Sequence, residues 1–286
     1  MDYRAKIGIG TVQFGLHYGI NNSKGVPDNE EIKKIFILAA ESGIQVVDTA
    51  PGYGDAESKI RQFSEQKFKV VTKFPVVKDG EELEYRLSSS LNKLKTNSVY
   101  GYLAHNSDNL LTHPVLWRTL LRAREKGQIK KIGYSLYSCE QLEKLLELKM
   151  IPDLVQLPYS ILDRKFEAFL SQLKTLKTEI HVRSVFLQGF YFMNDSTLPE
   201  KLNPLKKNLQ ELHQCCEKFG VTIGSLALNF VLYNKFIDNA IIGVDTTVQL
   251  QHNIETVQSW KQNPEISEHI NRIQVVNKEL LNPANW

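Results

Sequence analysis

Eight short apolar stretches, each followed by a segment of helical periodicity, run the length of this 286-residue chain. Strands are expected at 6–10, 45–48, 68–73, 99–105, 131–135, 154–157, 180–184 and 240–243. Between them apolar residues recur three and four apart. Ile32, Ile35, Phe36, Ala39 and Ala40 mark a helix over 28–43, capped by Asp28 and stopped by Gly43; Leu83, Leu87, Leu91 and Leu94 mark another over 83–94. Further helices are expected over 57–63, 115–126, 139–148, 166–176, 205–219, 223–233, 246–257 and 264–280. Alternating strands and helices predict parallel pairing. Eight such units predict an α/β fold, a closed (β/α)8 TIM barrel, in one domain over 1–286 with the last helix outside the repeat. Residues 186–203 carry few helix signals, and no linker or internal repeat interrupts the pattern.

The composition excludes several classes. A formal net charge of +3 is too small to argue for nucleic acid, and no apolar run is long enough to span a membrane. The N-terminal stretch Met1-Asp2-Tyr3-Arg4-Ala5-Lys6 lacks a signal core. Cys139, Cys215 and Cys216 are an odd number without metal-ligand spacing. No metal is expected, and the cysteine usage fits a reducing, cytoplasmic setting.

In a barrel of this kind the chemistry sits at the carboxyl ends of the strands. Asp48 ends the second expected strand, and Tyr53 follows in a Gly/Pro loop. Lys73 ends the third strand, and His105 the fourth, with Asn106 beside it. Ser135, Gln156, Arg183 and Ser184 come from strands five to seven. Each has an ordinary reading alone: an ion pair, a packed rim tyrosine, a core histidine. Their clustering at neighbouring strand ends points instead to a site. Lys73 is expected to pair with Asp48 and to lower the Tyr53 pKa. Tyr53 would then protonate a carbonyl oxygen as hydride reaches the carbon, with His105 donating to the same oxygen.

At these residues the chain resembles the aldo-keto reductase superfamily. The resemblance rests on Gly8-Ile9-Gly10-Thr11, Asp48-Thr49-Ala50 with Tyr53-Gly54 and Glu57, Val71-Thr72-Lys73, His105-Asn106 and Ile132-Gly133-Tyr134-Ser135. It continues through Ile242-Gly243-Val244 and Gln249-Leu250 to Asn253. It implies NADPH- or NADH-dependent reduction of an aldehyde or ketone, with Asp48, Tyr53, Lys73 and His105 as the catalytic tetrad. It also implies Gly10, Thr11, Asp48, Ser135, Gln156, Arg183, Ser184, Leu187, Gly189, Gly243, Asp245, Gln249 and Asn253 around the cofactor. Arg183 stands where the family commonly stacks an aromatic ring on the nicotinamide, and Leu136 where it often has Asn. NADPH is the family default. Residues 243–253 hold no Lys or Arg, however, so Asp245 would accept from a free ribose hydroxyl and NADH is plausible. The competing reading is that Asp245 and Thr246 merely cap the last barrel helix.

The first strand is expected almost at Met1, which leaves no room for the usual N-terminal hairpin ahead of it, and the opening loop over 12–22 is polar. With residues 183–189 and the ending Asn282-Pro283-Ala284-Asn285-Trp286, that loop resembles a subgroup found near bacterial surface-polysaccharide genes. This implies a sugar-like small-molecule carbonyl, held by Gln13, His17, Tyr18, Tyr53, His105 and Asn106. The rival reading of the loop is that Gly15, Tyr18 and Gly19 only shape a turn. Two other functions compete: a Schiff-base enzyme of the aldolase type using Lys73, and a low-turnover nicotinamide-binding regulatory protein.

Overall fold

The computed structural model describes residues 2–20, 22, 24–64, 68–194 and 196–286; Met1, Asn21 of the opening loop and Asp195 of the 186–203 segment lie outside the described residues. Eight strands close into a barrel in sequence order. They are β1 (Ile7–Gly10), β2 (Val46–Asp48), β3 (Lys69–Phe74), β4 (Val99–Ala104), β5 (Ile129–Ser135), β6 (Leu154–Pro158), β7 (Glu179–Arg183) and β8 (Asn239–Gly243). Every pair is parallel, so all eight carboxyl ends open on one face. Gly10 pairs with Asp48 on one side and Gly243 on the other, which sets three expected site positions at one level.

The helices are α1 (Val12–Gly15), α2 (Asn29–Glu41), α3 (Ala56–Phe63), α4 (Gly80–Leu94), α5 (Asp108–Thr112), α6 (Val115–Glu125), α7 (Cys139–Glu147) and α8 (Glu167–Thr175). They continue with α9 (Lys206–Phe219), α10 (Ile223–Leu232), α11 (Thr247–Ser259) and α12 (Pro264–Asn271). Local chemistry fixes their starts. Asp28 accepts from the Glu31 N–H at 2.8 Å, and Ser138 and Gln141 form a reciprocal capping box on α7.

Three expectations about the elements are corrected. The tail is not one helix to Leu280: α12 ends at Asn271, and a 3-10 turn follows at Lys278–Leu281. The intervening Ile273 and Val275 pack on the second apolar cluster without continuing the helical turn. The opening loop contains the helical turn α1, where Phe14 is buried. The 186–203 segment is partly 3-10, at Leu187–Phe192 and Glu200–Leu205, because Phe190, Tyr191, Leu202 and Leu205 turn inward.

Packing occurs in layers. Val46, Val71, Leu103, Leu154 and Ile241 fill the barrel interior. A larger cluster, including Phe36, Leu87, Leu120, Leu145 and Leu170, lies between strands and helices. A second cluster beneath the β7 loop joins Leu187, Phe190 and Tyr191 to Leu209, Leu212, Ile266 and Ile270. Among the described residues no single helix is long and apolar enough to cross a membrane.

The loop that carries Tyr53 is held by close backbone approach. A Cβ at Gly15 would lie 1.9 Å from the Tyr53 carbonyl oxygen, and one at Gly54 (φ 61°) would lie 2.6 Å from the Gly15 oxygen. Only glycine permits this crossing of the β1 and β2 loops. Two polar ties hold α3 below it. Lys59 donates to the Phe14 carbonyl at 2.7 Å, and the buried Glu57 accepts from Thr72 at 2.8 Å.

The floor of the barrel is polar. Glu179, at the start of β7, accepts from Tyr100 at 2.7 Å, from His181 Nε2 at 2.7 Å and from Lys131. Burial opposes the Glu179 charge, but the hydrogen bonds from His181, Lys131 and Tyr100 outweigh it and bring the pKa down to about 2. A carboxylate depressed in the folded state contributes stability above its unfolded pKa of about 4.3 and loses it as pH falls through the folded value. Glu179→Gln is therefore expected to be less stable than wild type at pH 7. The gap should close between pH ~4.3 and pH ~2 in urea melts; a gap independent of pH would show that the charge contributes nothing.

Candidate active site

At the barrel mouth most of the expected residues divide into two groups around two cavities. Asp48 and Lys73 form the buried centre. The Lys73 ammonium donates to both Asp48 oxygens at 2.7 Å and to the Thr49 carbonyl at 3.0 Å, so all three N–H bonds have acceptors. Both side chains are almost wholly excluded from solvent. Gln156 donates its amide N–H to Asp48 Oδ1 at 2.7 Å, which leaves its carbonyl oxygen to face the cavity.

Tyr53 stands beside this pair, with the Lys73 nitrogen 5.3 Å from its ring centroid. His105 meets the Tyr53 ring edge-on, centroids 5.8 Å apart at 87°. The His105 backbone is fixed by donation to the Phe74 carbonyl at 3.0 Å. A tyrosine and a histidine ring therefore meet edge to face beside a buried ion pair.

The expected effect of Lys73 on Tyr53 does not occur. Burial, aided by the Asp48 charge and only partly opposed by Arg183, lifts the Tyr53 phenol well above its ordinary range. Lys73 spends its charge on Asp48, two atoms of which bind it directly, so little is left over for the phenol. Burial also pushes His105 down, to about 4, with Lys73 and Arg183 adding to the effect and Asp48 opposing it. His105 is thus a neutral imidazole across the neutral range and donates through whichever nitrogen carries its proton.

The larger cavity, about 500 Å³, runs outward from Asp48 and Tyr53. Gly10, Thr11, Gln13 and Tyr18 line it from the β1 end, and Gln156, Arg183, Ser184 and Gly189 from β6 and β7. Gly243, Asp245, Gln249 and Asn253 line it from β8 and the start of α11. Gln13 lies across Gly243, where a Cβ would come within 1.9 Å of its amide nitrogen. Its carbonyl oxygen is buried and lacks a hydrogen-bond partner. Thr246, not Asp245, caps α11, accepting from Gln249 N at 3.2 Å. The half-buried Asp245 carboxylate instead accepts from Asn22 at 3.3 Å, and burial raises its pKa against the weaker pull of Gln249.

Four expected residues fall elsewhere. Ser135 is buried at its strand tip and lines neither cavity. Leu187 is fully buried in the apolar cluster beneath the loop, because the chain turns through positive φ at Ser184, Leu187 and Gln188 and points it inward. His105 and Asn106 line a second cavity of about 480 Å³, together with Pro75, Val76, Asp108, Tyr137 and Gln141. Asn106 uses its side-chain oxygen on the Asp108 N–H at 2.9 Å. Arg183 rests on Tyr137, its guanidinium carbon 4.4 Å from that ring centroid, and donates to the Leu136 carbonyl at 3.1 Å.

Sequence reasoning missed Tyr137, Asp108, Gln141 and Gln188. Tyr137 stands two residues beyond the β5 tip, a position the strand-end rule covers if it is extended into the loop. Gln188 donates to the Tyr18 hydroxyl and its carbonyl accepts from Ile20 N at 3.2 Å, joining two loops across the larger cavity; no local motif announces this.

A dinucleotide fits the larger cavity on these observations. Gly10, Gly189 and Gly243 line it, and it offers the orphaned Gln13 oxygen and the Gln156 carbonyl as acceptors. Among the described residues no group of three His, Cys, Asp or Glu side chains is placed to hold a metal.

The model of the aldo/keto reductase family matches residues 6–273. Aldo-keto reductase YhdN of Bacillus subtilis is 23% identical, over 94% of this chain and 89% of its own. The NADH-specific methylglyoxal reductase of Escherichia coli is 22% identical, over 87% and 89%. The holo form of an aldo-keto reductase from Bacillus halodurans superposes with a TM-score of 0.79 at 19% identity, covering 95% of this chain and 93% of that one. With a closed parallel barrel, a tyrosine and histidine over a buried ion pair, and a cleft fit for a dinucleotide, the chain belongs to the aldo/keto reductase family of NAD(P)H-dependent oxidoreductases.

Proposed function

We propose that the protein reduces a small, hydroxyl-bearing aldehyde or ketone, with Tyr53 as the proton donor. The observation that carries this reading is the edge-on meeting of Tyr53 and neutral His105 where the two cavities adjoin. Bound nicotinamide would supply the hydride. The substrate oxygen would take the Tyr53 proton as negative charge develops on it, giving the alcohol. His105 orients that oxygen. Asp48 and Lys73 hold their places by mutual neutralisation, and Gln156 is tied to Asp48 so that its carbonyl can fix the amide of the nicotinamide.

With the dinucleotide in the larger cavity, the body of the substrate is left the second one. Its lining suits hydroxyl groups: Asn106 keeps its amide N–H groups free to donate, Asp108 keeps one carboxylate oxygen, and Tyr137 offers a ring. A Schiff base on Lys73 is disfavoured. Its nitrogen is saturated by three acceptors and has no free pair for attack.

The far end of the larger cavity favours NADH. Asp245 lies on its wall, no Lys or Arg occurs over 243–253, and a carboxylate accepts from a ribose hydroxyl but repels a 2′-phosphate. An NADH-specific enzyme among the relatives shows that the family accommodates this choice.

Two measurements test these assignments. Tyr53→Phe is expected to cut carbonyl-dependent oxidation of the reduced cofactor by at least about 100-fold while nicotinamide still binds; near-normal turnover would remove Tyr53 from the chemistry. In fluorescence titrations wild type should bind NADH at least about tenfold more tightly than NADPH, and Asp245→Lys should narrow or reverse that ratio. Tighter NADPH binding by wild type would count against Asp245 as the selector.

A further inference from the structure

Arg183 is the charge at this site that the tetrad does not explain. It is half-buried and lines the same cavity as Asp48, Tyr53 and Gln156. Among the described residues no carboxylate lies within ion-pair distance of it. Its hydrogen bonds go to neutral oxygens, the Leu136 carbonyl at 3.1 Å and the Ser184 hydroxyl at 3.4 Å. One face of the guanidinium is covered by the Tyr137 ring at 4.4 Å. The ring and the carbonyl hold it in one orientation, so its charge is fixed in place. By contrast, Lys73 is buried against both oxygens of Asp48, and the pair presents almost no net charge to the cavity. The uncompensated positive charge beside Tyr53 is therefore that of Arg183, and it counters the burial that holds the Tyr53 proton.

We propose that Arg183, clamped on Tyr137, is a fixed positive charge that makes the site favour reduced over oxidised nicotinamide and offsets the phenolate left on Tyr53 after proton transfer. This inference rests on the reading of the larger cavity as the nicotinamide site. A hydride donor must reach the carbon whose oxygen is held by Tyr53, so the nicotinamide ring belongs at the Tyr53 end, where Arg183 and Gln156 also lie. The reduced ring is neutral and the oxidised ring carries a positive charge. A fixed cation nearby costs the oxidised form binding energy and leaves the reduced form unaffected. The same cation stabilises the negative charge that moves from the substrate oxygen to the Tyr53 oxygen. Arg183 thereby supplies what Lys73, committed to Asp48, does not.

The test compares affinities without turnover. Dissociation constants for NADH and NAD+ are measured by fluorescence and by competition, on wild type, Arg183→Gln, Arg183→Lys and Tyr137→Leu. The ratio of the NAD+ to the NADH constant is expected to fall about tenfold in Arg183→Gln. It should stay near the wild-type value in Arg183→Lys, which keeps the charge, and fall by a smaller factor in Tyr137→Leu, which keeps the charge but removes its platform. Should Arg183→Gln not fold, the Tyr137→Leu ratio decides, and no fall there overturns the proposal. An unchanged ratio in Arg183→Gln overturns it as well. So does a parallel loss of both affinities, which would mean that the guanidinium grips phosphate. Wild type that binds neither nucleotide would sink the cavity assignment itself, a failure distinguishable from the other two.

Discussion

The ion pair between Lys73 and Asp48 sets the terms for the whole barrel mouth. Two opposite charges removed from water survive only when their geometry is close and their remaining hydrogen-bonding capacity is met. Here both conditions hold. Each carboxylate oxygen lies 2.7 Å from the ammonium, Thr49 takes the third N–H, and Gln156 donates to Asp48 Oδ1. Breaking such a pair typically costs about 3–5 kcal/mol, because the survivor is left charged and buried. The arrangement also ties three strands together, Lys73 coming from β3, Asp48 from β2 and Gln156 from β6.

That stability has an electrostatic consequence. A cation fully engaged by a carboxylate projects little field, so the pair orders the site without making Tyr53 acidic. Burial pushes the phenol and the His105 imidazole in opposite directions along the pH scale, and both are held in their neutral forms. A neutral acid beside a neutral donor suits carbonyl reduction, which needs a proton delivered at the moment charge develops on oxygen. The remaining uncompensated charge, on Arg183, then lies where that charge moves.

Much of this was legible in the sequence because a barrel has few places to put chemistry. Period and spacing place Asp48, Lys73 and His105 at neighbouring strand ends, and the parallel topology follows from alternation alone. What spacing does not show is how strongly one group commits to another. Position alone predicts that Lys73 serves both Asp48 and Tyr53, and the two 2.7 Å contacts commit it to Asp48. Leu187 sits in the expected loop, yet three positive-φ residues turn its side chain into the apolar cluster. Tyr137 and Gln188 are tied to residues more than 40 positions away in the chain, Arg183 and Tyr18, and spacing does not show those pairings. The tail helix ends at Asn271 rather than Leu280, although Ile273 and Val275 continue the apolar pattern, because they pack without helical geometry.

The crossing of Gly15 and Gly54 bears on how such a protein can diversify. The loop after β1 helps shape the cavity, and the loop after β2 presents Tyr53, and each backbone passes through the space a side chain would need on the other. The two segments are therefore one mechanical part. Exchange of the first loop for that of another barrel, in search of altered selectivity, would succeed only if the incoming segment kept its glycine and its path. The β4 and β5 loops are joined through a side chain instead, Gln141 accepting from the Tyr137 N–H and donating to Asp108, a tie that substitution can remake without moving Tyr53.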